Sequence, residues 1–491
     1  MNLDKIKKIH FIGIGGIGVS AMAKLMLELN KKVTGSDLID SEIIQQLKAR
    51  GAKCFIGKHQ AENVKKDFDL VIYSNAIPKN NLEIKQIVKL EIPCLSYPEF
   101  LGEFMKNKFP IIVSGTHGKS TTTAMLATIL IEAGLDPTVI VGTKLNLSST
   151  FQQGFKPYQK NLFKTPPFSQ QAEESSGMVQ DLFKGNERLG KSKYIVVEGD
   201  EYKEAFLNYT PKGLIINNIE ADHLDYYKNL KNIISAFRKL IKKVPTHGVL
   251  VARADCENVK NVIKSAKCKV ITFGIRKGDF LATHIIKHGE LTRFAIKGPE
   301  AFDLALRVPG VHNALNALAS TIMALALGIR QETIQKALLK YRGIWRRFEI
   351  KGEQKGITVI DDYAHHPTEI KATLITARQY FLDKKIWCVF QPHNRNRTIK
   401  LFKDFVHAFS DCDKLVLTEI YDVAGREHGE KISSLDLVKA IKKLKKDVTF
   451  IKDLKDITPY LIKKAKTGDV IITMGAGDIT KVSDELIQKL K

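Results

Sequence analysis

A chain of 491 residues is too long for one domain and on ordinary domain sizes holds about three. Its 44% hydrophobic and 26% charged residues exclude a disordered or fibrous chain. The net charge of +24 comes from lysines scattered over helix-like polar faces (KNLKNIISAFRKLIKK, KAIKKLKK) with no aromatic-interleaved basic motif, so it reads as solvated surface that attracts small anions rather than as a nucleic-acid site.

Six cysteines (Cys54, Cys94, Cys256, Cys268, Cys388, Cys412) are dispersed without metal-ligand spacing, as reduced thiols would be. No signal peptide opens the chain and no apolar run is long enough for a bilayer, so a cytoplasmic protein without membrane insertion is expected.

In the first domain, Met1 to Lys108, KIHFIGIGGIGVSAMAKLMLEL reads as strand, turn and helix around Gly13-Ile14-Gly15-Gly16-Ile17-Gly18. A second β-run ends at Ser36-Asp37, nineteen residues past Gly18, where an acid meets a ribose hydroxyl in a dinucleotide fold. A third, Asp69 to Tyr73, ends in Ser74-Asn75. The pattern predicts a small Rossmann-like unit holding a diphosphate, and leaves NAD, FAD and UDP-sugars open.

The central domain, Phe109 to Arg342, opens on Ile111-Ile112-Val113, followed by Ser114-Gly115-Thr116-His117-Gly118-Lys119-Ser120-Thr121 and a helix-like run. Strand, glycine loop, lysine, hydroxyl and helix form a polyphosphate cradle of P-loop ATPase type. Backbone N–H groups meet the phosphates, Lys119 reaches the terminal ones, and Ser120 offers a hydroxyl to Mg²⁺. The general pattern has a glycine where Val113 stands, so this loop is shortened. The stretch from Lys144 to Lys193 lacks periodicity and reads as a flexible insertion. Order resumes with Tyr194–Val197, which delivers Glu198, and with Gly213–Asn218, which delivers Glu220-Ala221-Asp222-His223. A carboxylate at such a strand end suits Mg²⁺, whereas a lone histidine is more often structural. His312, Asn313 and Asn316 open a long Ala/Leu helix, where asparagines either cap or read an adenine edge.

The last domain, Gly343 to Lys491, has four β-runs with polar residues at their ends. They carry Asp362, His365 and His366; His393, Asn394, Arg395 and Arg397; Thr418 and Glu419; and Gly475 to Asp478. Helical stretches between them predict a second Rossmann-like sheet. ATP with Mg²⁺, a diphosphate-bearing substrate and a third site for a small anion or amino acid together suggest ligation through an acyl phosphate.

The motifs HFIGIGGIGVSAMA, GTHGKSTTT, VVEGDE, NNIEADHLDYY, PGVHNALNALA, DDYAHHPTEI, FQPH…RT and GAGDI span all three domains, and in them the chain resembles the Mur ligases of peptidoglycan synthesis, most closely their alanine-adding branch. That resemblance implies ATP, UDP-N-acetylmuramate and L-alanine as substrates, Mg²⁺ as cofactor, and a monomer or homodimer. It implies that Gly15, Gly16, Ile17, Gly18, Ser36, Asp37, Ser74 and Asn75 hold the UDP moiety. Gly115 to Thr121, His312, Asn313, Asn316 and Asp362 would hold ATP, and Ser120, Glu198 and His223 the metal. His393, Arg395 and Arg397 would hold the amino acid, with Lys119, His223, His365 and Arg397 catalytic.

Two departures stand out. The family's QPHRYTRT has an arginine where this chain has Asn394, which shifts the expected carboxylate contact to Arg395. The lysine that several relatives carbamylate is matched here by Arg238, as in the alanine-adding branch. Rival readings are a ligase that recycles an intact tripeptide, a nucleotide-dependent dehydrogenase using Gly13–Gly18 and Asp37, and an inactive nucleotide-binding protein. GAGDI and FQPH speak against the first, the Lys119 loop against the second, and Lys119, Ser120, Glu198 and His223 together against the third.

Overall fold

The strands that carry the glycine loops are apolar runs buried on both faces: Lys8–Ile12 and Phe109–Ser114 are buried at every position but the first, and Ile357–Asp362 throughout. Such runs belong in parallel sheets covered by helices on both sides. The computed structural model describes residues 3–145, 185–422, 432–444 and 447–491, and among these the strands gather into three such sheets, giving a three-domain α/β architecture.

The N-terminal sheet is wholly parallel, in the order Lys53–Ile56, Lys32–Asp37, Lys8–Ile12, Leu70–Tyr73, Cys94–Ser96. In the central sheet Phe109–Ser114 lies between Gly213–Ile216 and Tyr194–Glu198. Ser114 pairs in register with Ile216, and Val113 with Glu198, so the three carboxyl ends are level and their following loops meet. Beyond Val249–Arg253 and Lys269–Gly274 the sheet continues into Phe280–His288, Leu291–Lys297 and Phe302–Leu306, the last two pairings antiparallel. The C-terminal sheet is parallel except for its edge strand Glu349–Gln354, and Asp362, Met474, Phe390 and Leu417 are level at its carboxyl edge.

Packing divides the molecule unevenly. One continuous apolar core joins Phe11, Met22, Phe100 and Phe104 of the N-terminal domain to Ile112, Ile195, Phe206 and Phe237 of the central one. At about 1.5–3 kcal/mol for each such side chain, this interface holds the two domains as a unit. The C-terminal domain has separate cores on its two faces, around Phe390, Phe405 and Phe409 and around Trp387, Ile471 and Leu486.

Most of the stretch read as an insertion, 146–184, lies outside the described residues. Its C-terminal flank belongs to the central sheet: Glu187–Arg188 pairs antiparallel with Thr138–Ile140, and Glu187 is buried. A two-residue strand is too short to show periodicity, which is why the sequence pattern does not reveal it.

Candidate active site

The phosphate loop between Ser114 and the helix Lys119–Glu132 is shaped from outside by two asparagines that follow Gly213–Ile216. The Asn218 carbonyl accepts from Thr116 N (3.1 Å), its side-chain oxygen accepts from His117 N (2.8 Å), and its amide donates to the His117 carbonyl (3.1 Å). Gly118 has φ +81°, and a Cβ there would stand 2.5 Å from Asn316 Oδ1, so only glycine fits.

Lys119 is drawn back across this loop. Its Nζ donates to the Gly115 carbonyl (2.6 Å) and the Thr116 carbonyl (3.0 Å) and pairs with buried Glu201 at 2.9 Å. Burial opposes its charge, but Glu201, Asp200 and Glu198 outweigh that and hold its pKa above the ordinary lysine value. Ser120 Oγ donates to Glu198 Oε1 at 3.0 Å, and Glu198 Oε2 accepts from Gly142 N at 2.7 Å. His223 adopts φ +49°, stands 3.8 Å from Glu201 and 3.9 Å from Asp222, and has a buried Nδ1 without a hydrogen-bond partner. Asp200, Glu201 and His223 also cluster closely enough to ligate one ion. Hydroxyl and carboxylate oxygens of this kind suit a hard divalent cation carrying phosphates.

A cleft of about 510 Å³ brings the three domains together. Gly16, Ile17, Gly18, Ser74 and Asn75 line its N-terminal side, Thr116, Gly118, Lys119, Ser120, Glu198 and His223 its floor, and His365, His393 and Arg397 its C-terminal wall. Next to it, His117, Gly118, Thr121, His312, Asn313, Asn316 and Asp362 line a smaller cavity of about 140 Å³, and the two meet at Gly118, Arg347 and Glu369. A nucleotide laid from one into the other would place its base beside His312 and its phosphates at Lys119.

Within the smaller cavity, burial beside Arg347 pulls the His312 pKa down to about 4, so the ring is neutral. Asn313 donates to the Pro309 carbonyl (2.7 Å) and Asn316 to Asn313 Oδ1 (3.3 Å), and the N-cap position itself is Gly310. Asp362 accepts from Phe348 N and Ala364 N, both at 2.7 Å, and burial raises its carboxyl to about 6. On the cleft wall, His365 Nδ1 donates to the Tyr363 carbonyl (2.9 Å), which leaves Nε2 as an acceptor, and burial lowers its pKa to about 4. Arg397 crosses to the central domain and grips Asp222 through Nε and Nη2 at 3.0 and 2.9 Å. Burial alone would raise the Asp222 carboxyl, but Arg397 and the neighbouring histidines hold it well below its ordinary range.

Several expected residues sit elsewhere. Arg395 is turned away from the cleft: its Nε donates to Asp422 (2.9 Å) and its Nη1 to the Ile432 carbonyl. Asn394, at φ +74°, uses its side chain to accept from Asn396 N, which sets that direction. Ser36 is buried, donating to Glu83 at 2.5 Å, and Asp37 accepts from Gly15 N at 2.8 Å, so these two shape the glycine loop from behind. Glu201, Asn217, Asn218, Asp222, Arg347 and Glu369 join the site without having been singled out. The first four sit at the ends of strands already read as site-bearing and Glu369 lies within the motif DDYAHHPTEI, whereas Arg347 carries no sequence signal.

His117 ties the phosphate loop to the C-terminal domain. Its Nδ1 lies 3.0 Å from Glu369 Oε1, and its Nε2 3.4 Å from Glu220 Oε2. Burial lowers its pKa, but the two carboxylates outweigh this and push it up to about 9. Because the folded pKa lies above the unfolded value, this contribution to stability is full below pH ~6.5 and is lost as pH rises through about 9. The expected result is a thermal midpoint that falls between pH 7 and 10, with this component of the fall absent in His117→Asn, as scanning calorimetry would check.

Comparison with known proteins places this geometry. Family models match in succession: the Mur ligase family catalytic domain over residues 8–109, the Mur ligase middle domain over 113–324, and the Mur ligase glutamate ligase domain over 346–477. The chain is 44% identical over 484 residues to a UDP-N-acetylmuramate–L-alanine ligase of Clostridium kluyveri, covering 98% of each chain. It is 42% identical to that of Clostridium tetani over 488 residues, again covering 98% of each. Among solved structures, the UDP-N-acetylmuramate–alanine ligase of Thermotoga maritima superposes with a TM-score of 0.78 at 30% identity, covering 98% of both chains. A murein peptide ligase of Psychrobacter arcticus gives 0.70 at 25%, covering 99% of this chain and 98% of that one. The chain belongs to the Mur ligase family.

Proposed function

We propose that this protein joins L-alanine to the carboxylate of UDP-N-acetylmuramate, using ATP, in the synthesis of peptidoglycan precursors. The observation that carries this reading is the single cleft in which a diphosphate-type glycine loop, the Lys119–Ser120–Glu198 group and Arg397 converge. We assign residues 1–108 to the UDP-sugar, 109–342 to ATP and 343–491 to ATP and the amino acid. The protein would act in the cytoplasm as a monomer or homodimer.

In the first step a substrate carboxylate oxygen attacks the γ-phosphorus, the bond to ADP breaks, and an acyl phosphate forms. Lys119 exchanges its loop carbonyls for phosphate oxygens and neutralises the charge that spreads over them. Ser120 and Glu198, with His223 nearby, would hold Mg²⁺, which supplies charge neutralisation for the transferring phosphoryl group. In the second step the alanine amine attacks the acyl carbon, the amide C–N bond forms, and inorganic phosphate leaves. Arg397 holds the alanine carboxylate, and His365 Nε2 accepts the amine proton. His312, Asn313 and Asn316 face the adenine.

Phosphate release from ATP and Mg²⁺ with UDP-N-acetylmuramate tests this, comparing L-alanine, glycine, L-serine and the tripeptide. Turnover with L-alanine is expected. Turnover with the tripeptide alone would assign the chain to the recycling ligases.

A further inference from the structure

The helix that follows the diphosphate loop, Ile17–Glu28, buries a lysine. Lys24 is 1% exposed, and its Nζ lies 3.2 Å from Oε2 of Glu187, a central-domain residue itself 3% exposed. The other Glu187 oxygen pairs with Arg50 of the N-terminal domain at 2.9 Å. Buried charges are kept only where they are paired, and losing one partner is costly. A buried carboxylate from one domain between two cations of the other therefore fixes a geometry.

The residue before Glu187 connects that geometry to the substrate loop. Asn186 Oδ1 accepts from Lys24 Nζ (3.1 Å), while its Nδ2 donates to the carbonyl of Ile17 (2.6 Å), a residue of the cleft wall. Its own carbonyl accepts from Val141 N (3.0 Å), and the next peptide N–H, that of Gly142, donates to Glu198. Two consecutive amides thus connect the diphosphate loop to the carboxylate beside Ser120.

We propose that Lys24, Glu187 and Asn186 are positioning residues that set the distance between the bound UDP-sugar and the γ-phosphate. This rests on the ligase reading above. In-line transfer needs reacting atoms about 3–3.5 Å apart, and a misplacement of about 1 Å costs about 10²-fold. The loop and the cradle lie on different domains, so their separation has to be held by contacts between those domains.

The test uses Asn186→Ala and Lys24→Met in the full-length chain, measuring kcat, KM for ATP and for UDP-N-acetylmuramate, and the thermal midpoint. Asn186→Ala leaves the ion pairs intact, and Lys24→Met leaves Glu187 paired with Arg50, so both variants are expected to fold. The expected result is kcat lowered by at least about tenfold in each, with KM for ATP within about twofold of wild type and the Asn186→Ala midpoint lowered by only the few degrees that its two buried hydrogen bonds account for. An Asn186→Ala variant with wild-type kcat and KM for UDP-N-acetylmuramate would overturn the proposal. So would a kcat loss matched by an equal rise in KM for ATP, which would show general disruption. A wild-type protein that releases no phosphate with any amino acid would instead remove the ligase reading itself.

Discussion

Lys119→Ala is expected to lower kcat for phosphate release by about 10²–10³-fold, the scale of removing one preorganised charge from a phosphoryl-transfer site. The same change destabilises the fold. Lys119 is the cation 2.9 Å from Glu201, which is 3% exposed, and an orphaned buried carboxylate costs about 3–5 kcal/mol. The two effects separate when Glu201→Gln is added, because the amide removes the unpaired charge without restoring an ammonium. The double variant should recover most of the thermal midpoint and none of the rate. Recovery of both would mean that Lys119 serves folding alone.

The second large effect falls at the opposite wall. Arg397→Ala is expected to raise KM for L-alanine by about 10²–10³-fold, since it removes the cation we assign to the amino-acid carboxylate and leaves Asp222 buried without that partner. Arg397→Lys should restore little, because an ammonium cannot reproduce the two-nitrogen grip on Asp222. Arg395 is the control. It makes a partly exposed pair with Asp422, a kind worth about 0–1 kcal/mol, and Arg395→Ala should leave KM for L-alanine within about twofold. Initial rates against alanine concentration for the three variants decide the point. A larger effect at Arg395 than at Arg397 would show that the shifted arginine, not the cross-domain one, holds the substrate.

These two residues illustrate what a sequence can disclose. Both glycine loops are legible because positive φ and close approach demand a residue type, as Gly118 between Asn316 and Asn217 shows. The loading of strand ends is legible too, because a parallel sheet collects whatever follows its strands at one edge. Which member of a loaded loop turns inward is not legible. In Val-Glu-Gly-Asp-Glu, Glu198 meets Ser120 and Glu201 meets Lys119, a choice made by backbone turns with no residue signature. Arg395 and Arg397 are likewise sorted by the positive φ of Asn394 and by Asp222, far away in the chain.

Longer-range contacts are hidden for a different reason. Lys24 and Glu187 are 163 positions apart, and neither residue alone differs from an ordinary surface charge. The antiparallel strands from Phe280 to Leu306 extend the central sheet without a glycine motif or loaded end to mark them. Resemblance to a family supplies the domain order, but the polar latch through His117, Glu220 and Glu369 emerges only when the domains are placed together.

Attack of the substrate carboxylate itself on ATP can be followed by oxygen tracing. UDP-N-acetylmuramate labelled with ¹⁸O in its carboxylate would be turned over with ATP, Mg²⁺ and L-alanine, and the released phosphate analysed by mass spectrometry. An acyl phosphate at Lys119 predicts one ¹⁸O in each phosphate released, because the oxygen that attacks phosphorus leaves with it. Unlabelled phosphate, with both labelled oxygens kept by the sugar, would mean that water is the acceptor and that no acyl phosphate forms.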